Sequence, residues 1–151
     1  GTKVSQFGSI SVIRFNDDYR FKKELLLNPD FSAAQGWLIS NDSLFDSNSG
    51  TVLTSVSTPV TQSIKVSPGQ RYKNTVMARC HNSKTQGRVQ VNWHDSKGEF
   101  IRPDIQVFDC STNWDEITMD VIAPDNVATA TVFATGHTNM PLIFKSVSFK
   151  Q

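Results

Sequence analysis

Arg88-Val89-Gln90-Val91-Asn92-Trp93-His94 alternates polar and apolar side chains without interruption. Successive side chains of a strand point to opposite faces, so Val89, Val91 and Trp93 are expected in a core and Arg88, Gln90, Asn92 and His94 on the other face. The same period of two recurs around this segment. Between Tyr72 and His81 the buried phase is Tyr72, Val76, Ala78 and Cys80, which turns Lys73, Thr75, Arg79 and His81 outward. Ile117, Met119 and Val121 point inward, leaving Glu116, Thr118 and Asp120 outside. Ala130, Val132 and Ala134 take the inner phase, and Thr131, Phe133 and Thr135 the outer.

Strands are therefore expected near residues 9–15, 51–57, 61–66, 72–80, 87–94, 104–109, 114–122, 128–135 and 142–150. Turn chemistry separates them at Ser67-Pro68-Gly69, His81-Asn82-Ser83, Asp95-Ser96-Lys97-Gly98 and Ala123-Pro124-Asp125-Asn126. Such connections are too short to hold crossover helices, so the pairing is antiparallel. The fold class is all-β, a sandwich of two antiparallel sheets.

At 151 residues the chain has the size of one domain with one core. Charged residues make up 19% and hydrophobic ones 38%, with ten Phe and three Trp, which excludes a disordered chain or a coiled coil. Fifteen Lys plus Arg against fourteen Asp plus Glu leave a net charge of +1, too little field to gather phosphate backbones, so no nucleic acid partner is expected. No stretch approaches the roughly eighteen apolar residues of a membrane span, and the N-terminus lacks a basic-then-apolar signal pattern. The opening Gly1-Thr2, without Met, suits a piece of a longer protein. Cys80 and Cys110 are read either as one bridge or as buried thiols.

Residues 1–24 read differently from the rest. Ser9-Ile10-Ser11-Val12-Ile13-Arg14-Phe15 is strand-like, Asn16-Asp17-Asp18 breaks it, and Tyr19-Arg20-Phe21-Lys22-Lys23-Glu24 is a basic, aromatic connector. This segment is either the end of a preceding domain, a strand contacting another subunit, or an extra edge strand of the same sandwich. Residues 25–151 are assigned to the sandwich proper.

A series of short cues runs through that sandwich in a fixed order. They are Leu27-Asn28-Pro29-Asp30-Phe31 and Gly36-Trp37, then Thr61-Gln62-Ser63-Ile64-Lys65-Val66-Ser67-Pro68-Gly69-Gln70-Arg71-Tyr72. Gly87 to Trp93, Asp95, Gly98, Thr112-Asn113-Trp114 and Ala123-Pro124 complete the series. In order and spacing the chain resembles the jelly-roll carbohydrate-binding modules found beside xylanase and cellulase domains. The resemblance implies a jelly roll and a polysaccharide or oligosaccharide partner. It also implies a ligand lying across the concave face of one sheet or at the loop ends, held by aromatic and amide side chains. If the alternating strands neighbour one another, one surface carries Arg79, His81, Gln90, Asn92, His94, Thr118 and Phe133.

From that surface Arg79, Gln90, Asn92, His94 and Phe133 are the expected ligand-binding residues. Amide and guanidinium groups suit hydroxyls, and a flat ring suits a sugar's C–H face. Phe133 is the expected platform, with Phe100, Phe108 and Phe45 as loop alternatives. The bland alternative is an ordinary solvated sheet face. Trp37 and Trp114 stand where the resembled modules place fold-supporting residues, so both are expected in the core.

Many modules of this kind hold a structural calcium, but here the pattern departs. Ser32 follows Phe31 where an acid is common, Phe144-Lys145-Ser146-Val147 replaces an expected aspartate pair, and Asp30 is the one acidic candidate left. No metal or cofactor is expected; Lys145 could take over a cation's place between the sheet ends. His81, His94 and His137 lack zinc spacing, and no catalytic signature is present. Asp17-Asp18 and Asp115-Glu116 could be imagined as glycosidase carboxylates, but adjacent residues of a strand point to opposite faces, so neither pair is expected to act together. The expected function is a non-catalytic carbohydrate-binding module that positions a larger polysaccharide-active protein on glycan, extracellular or virion-associated. The rival is a C-terminal trimerising or capping module of a phage tailspike, a homotrimer formed through the N-terminal strand. A protein-recognition module using a sheet edge is a third reading.

Overall fold

The computed structural model describes residues 23–41 and 44–151. Ten strands follow in chain order among them: β1 Leu38–Ile39, β2 Phe45–Asp46, β3 Thr51–Thr54, β4 Val60–Lys65 and β5 Arg71–Cys80. The remaining five are β6 Gln86–His94, β7 Phe100–Asp109, β8 Asp115–Ile122, β9 Thr129–Gly136 and β10 Leu142–Lys150. They build two five-stranded antiparallel sheets, a front sheet in the order β1-β4-β9-β6-β7 and a back sheet in the order β2-β3-β10-β5-β8. The expected sandwich is present, and its strands from β3 onward match the alternating segments of the sequence. The expected strand at 9–15, the trimer contact and Asp17-Asp18 all fall outside the described residues.

Strand β7 begins at Phe100, four residues before the expected start at 104, because the preceding turn is tight. Gly98 N donates to Asp95 O at 2.9 Å, and Asp95 Oδ1 accepts from Lys97 N and Glu99 N, both at 2.9 Å. Gly98 has φ +81°, which a side chain would strain. Pairing resumes at once, with Phe100 opposite His94.

The alternation of Arg88–His94 holds in space: Val89, Val91 and Trp93 are fully buried. Trp93 packs from the front sheet against Tyr72 and Phe149 of the back sheet, with ring centroids 6.3 Å from each. Burying an indole requires a partner for its N–H. Trp93 Nε1 donates to Asp104 Oδ2 at 2.7 Å, and Arg102 stands 3.6 Å from the same oxygen. At Gly87 a Cβ would lie 2.6 Å from the Phe108 ring and 2.7 Å from Leu142, so only glycine lets that ring enter the core.

One covalent tie joins the two sheets, and a second tie anchors the start of the described chain. Cys80, the last residue of β5 in the back sheet, is disulfide-bonded to Cys110, just after β7 of the front sheet, with Cα atoms 5.1 Å apart. At the other end Leu25 N donates to Phe149 O at 3.0 Å, and Glu24 accepts from Phe149 N at 2.9 Å. The start of the described chain thus runs beside the end of β10.

Candidate functional site

Register fixes which side chains share the outer face of the front sheet. Thr61, Phe133, Gln90 and Ile105 stand in one cross-strand row, extended by Leu38 opposite Thr61. The neighbouring rows are Thr135, Arg88 and Val107 on one side and Ser63, Thr131, Asn92 and Pro103 on the other. Lys65, Thr129, His94 and Phe100 complete the face. From Arg88 to His94 it extends roughly 20 Å at the usual strand rise.

A line of hydrogen bonds runs along β6 down the middle of this face. Arg88 Nε donates to His137 Nδ1 at 3.0 Å, and Arg88 Nη1 donates to Gln90 Oε1 at 3.3 Å. Gln90 Nε2 then donates to Asn92 Oδ1 at 3.0 Å. Gln90 keeps 8% of its surface exposed although it points away from the core, so the row is not freely solvated. Apolar groups flank the line, exposed Ile105 and Val107 on β7 and half-buried Phe133 beside Gln90 on β9, and Leu38, 73% exposed, stands at the far edge of the sheet on β1. At the far end His94 meets the Phe100 ring edge-on at 5.9 Å.

The structure therefore brings Gln90, Asn92, His94 and Phe133 together and corrects the placement of the fifth residue. Arg79 lies on β5, in the back sheet, on the opposite side of the molecule. Alternation assigns a face within a strand but not the neighbours of that strand. Thr118, on β8, also belongs to the back sheet, where it hydrogen-bonds Thr75 at 3.0 Å, and His81 lies exposed just beyond β5. In place of Arg79 the front face has Arg88, whose phase was legible, and His137, which follows β9 and carried no sequence signal.

The aromatic alternatives divide as well. Phe108 points inward against Phe144, centroids 6.4 Å apart, and Phe45 packs on the core, so neither serves a loop-end site. Phe100 is 56% exposed at the edge of the face. Trp37 is buried as expected, its Nε1 donating to Asn28 O at 2.9 Å. Trp114 departs from the core expectation. It is half-buried at the back sheet, with the Arg79 guanidinium 5.1 Å and the Lys145 ammonium 4.8 Å from its ring centroid. Cation–π attraction holds both side chains there.

Lys145 is thus committed to Trp114. At Asp30 the carboxyl is engaged within its own turn, Oδ1 accepting from Ser32 N at 3.2 Å, and the described residues hold no group of three His, Cys, Asp or Glu. The Ser32 backbone N–H, aided by its hydroxyl, holds the Asp30 carboxyl below the usual aspartate range. Asp115 is engaged by Ser111 Oγ at 2.8 Å while Glu116 faces solvent, so this pair does point apart.

Two antiparallel sheets with this strand order define a jelly-roll β-sandwich. Its fold is that of the carbohydrate-binding modules of xylanases. The chain superimposes with a TM-score of 0.60 and 17% identity on the CBM22-1 and GH10 modules of Clostridium thermocellum endo-1,4-β-D-xylanase 10B, solved with xylohexaose. That match covers 85% of this chain and 28% of the xylanase chain. The enzymatically active domain of bacteriophage CBA120 tailspike protein 4 matches at TM-score 0.59 and 16% identity, over 83% of this chain and 21% of the other. A xylan-binding domain of CBM22 matches nearly whole to whole, 88% against 96%, at TM-score 0.56 and 13% identity. No family model and no curated protein matches the sequence.

Proposed function

We propose that the chain is a non-catalytic carbohydrate-binding module that holds a larger polysaccharide-active protein on its glycan. The single observation carrying this reading is the row Phe133–Gln90–Ile105, in which an aromatic ring, a shielded amide and an aliphatic side chain stand side by side on one sheet face. A sugar ring has an apolar C–H face and a polar hydroxyl edge, and such a row meets both. Gln90, Asn92, His94 and Phe133 are the contacting residues in this reading. Each hydrogen bond to a sugar replaces one to water and nets about 0.5–1.5 kcal/mol, so single sites are weak and repetition along a polymer supplies strength. The fold shared with a xylanase module and a xylan-binding domain supports the reading. The disulfide favours an oxidising, extracellular or virion-associated setting.

Affinity electrophoresis against a polysaccharide panel tests the proposal. The protein should be retarded by at least one glycan, and Gln90→Ala, Asn92→Ala and Phe133→Ala should each reduce that retardation. Unchanged retardation in all three variants would contradict the assignment of the face.

The likeness to tailspike protein 4 favours a second reading, in which the sandwich is a structural module of a fibrous phage protein and residues 1–24 serve its assembly. Mass measurement in solution separates the two. A stable trimer that ignores every glycan supports the second reading, and a monomer retained by polysaccharide supports the first.

A further inference from the structure

We propose that the glycan taken by the outer face of the front sheet is acidic, a uronate-containing polymer whose carboxylate sits on Arg88. The inference rests on the reading of that face as a glycan site and adds the chemistry of the ligand.

The orientation of every group in the central line follows from one fact: a guanidinium can only donate hydrogen bonds. His137 Nδ1, 3.0 Å from Arg88 Nε, must therefore accept, which puts the imidazole proton on Nε2. Gln90 must turn Oε1 toward Arg88 Nη1, which sends its Nε2 toward Asn92, and Asn92 must answer with Oδ1. Each acceptor atom of the line thus spends a lone pair on an internal donor. Among the described residues Arg88 uses two of its five N–H groups and keeps three, and the Asn92 amide nitrogen has no partner.

Charge points the same way. Among the described residues no carboxylate oxygen lies within 4.0 Å of the Arg88 guanidinium. Between the rows of Arg88 and His94 the described residues of the face include Arg88 and Lys65 and no Asp or Glu. The nearest acid in register, Asp109, stands one row beyond and is engaged by Gln86 Nε2 at 3.1 Å. Arg88 is half-buried beside Val107 and Thr135, so its charge is partly desolvated with no counter-ion among the described residues. A neutral sugar hydroxyl can accept from the spare guanidinium hydrogens but brings no charge to pair with Arg88. A carboxylate only accepts, and it forms the shorter, stronger charge-assisted pair with a guanidinium.

The test is affinity electrophoresis of the whole chain against alginate, polygalacturonate and glucuronoxylan, each beside its carboxyl-reduced counterpart, with neutral xylan and dextran sulfate as further arms. At least one native uronate polymer should bind about tenfold or more tighter than its reduced form, the size of one charge-assisted bond. Added salt should weaken that binding. Arg88→Gln should bring the native-to-reduced ratio close to one, with thermal unfolding of the variant confirming a folded protein. The comparison of native with reduced polymer needs no variant, so it decides even if Arg88→Gln fails to fold. Equal binding of native and reduced polymers, or binding to neutral xylan alone, would overturn the acidic ligand and leave the glycan face standing. Dextran sulfate bound as tightly as every uronate would overturn the carboxylate preference. Binding to nothing in the panel would remove both proposals.

Discussion

The two outer faces of this sandwich are built from the same alternation and differ in what their polar groups do. On the back sheet both signs are interleaved. Lys73 pairs with Asp120 at 3.2 Å, Thr75 bonds Thr118 at 3.0 Å, Arg79 and Lys145 cover Trp114, and Glu116 stands among them. On the front sheet the line from Arg88 through Gln90 to Asn92 bonds within itself, leaves Arg88 N–H groups without a partner among the described residues, and has the exposed apolar side chains of Ile105 and Val107 on the neighbouring strand. A polar sheet face is the ordinary condition of a protein in water. The informative difference is that acids stand among the cations on the back face and not on the described rows of the front face.

Removing the tie between the sheets should have the largest effect. Replacing Cys80 and Cys110 together by Ala opens a link spanning 30 residues and should cost about 2–5 kcal/mol of stability, read by thermal or denaturant unfolding. Retention on glycan per folded molecule should not change, because neither cysteine lies on the front face. Loss of retention in the folded double variant would tie the site to the back sheet after all.

The comparison breaks most directly by exchanging alanines between faces. Phe133→Ala and Gln90→Ala should each weaken glycan binding by about tenfold, whereas Arg79→Ala and Trp114→Ala should leave it within a factor of about two. Isothermal titration reads the four side by side. A smaller effect is expected for the back-face ion pair, whose side chains are 52% and 74% exposed. A double-mutant cycle on Lys73 and Asp120 should give a coupling below about 1 kcal/mol, with glycan binding unchanged.

The smallest effect concerns pH. Asp46, hydrogen-bonded by Ser49 and by the backbone N–H of Asn48, is held below its ordinary value of 3.8, as Asp30 is by Ser32. Because both folded-state values lie below the unfolded ones, their stabilisation is present above about pH 4 and lost as pH falls through the folded values. Acid unfolding scans should show a slightly steeper loss in the native protein than in a variant carrying Asp30→Asn and Asp46→Asn. Neither carboxylate is on the front face, so the contrast between faces should persist until the fold fails.

Much of this was legible in the chain, for a definite reason. Alternation is a local property of a strand, so the inward phase of Val89, Val91 and Trp93 and the outward phase of Gln90, Asn92 and Phe133 could be read residue by residue. Strand neighbours are not local. Arg79 has the right phase and the wrong sheet, because nothing in the sequence of β5 says that β10 and β8 flank it. The same ignorance left the disulfide open, since only the packed sheets bring Cys80 near Cys110. The departure at Trp114 has another origin: the alternation of β8 already puts it on the outer phase with Glu116 and Thr118, the core expectation came from the resemblance, and two cations cover its ring. The two-residue strands β1 and β2 are defined by their partners β4 and β3, so no pattern of their own announces them. His137 enters the site only through its bond to Arg88, a contact made across strands.

The most direct test is to titrate isotopically labelled protein with oligosaccharides cut from whichever polymer retards it, and to follow the backbone amide resonances. Shifts should cluster along Arg88–His94, Thr129–Thr135 and Asp104–Val107, the strands that carry the front face. Shifts confined to Lys73–Arg79 and Glu116–Asp120, with the Gln90 and Asn92 signals unmoved, would contradict the account.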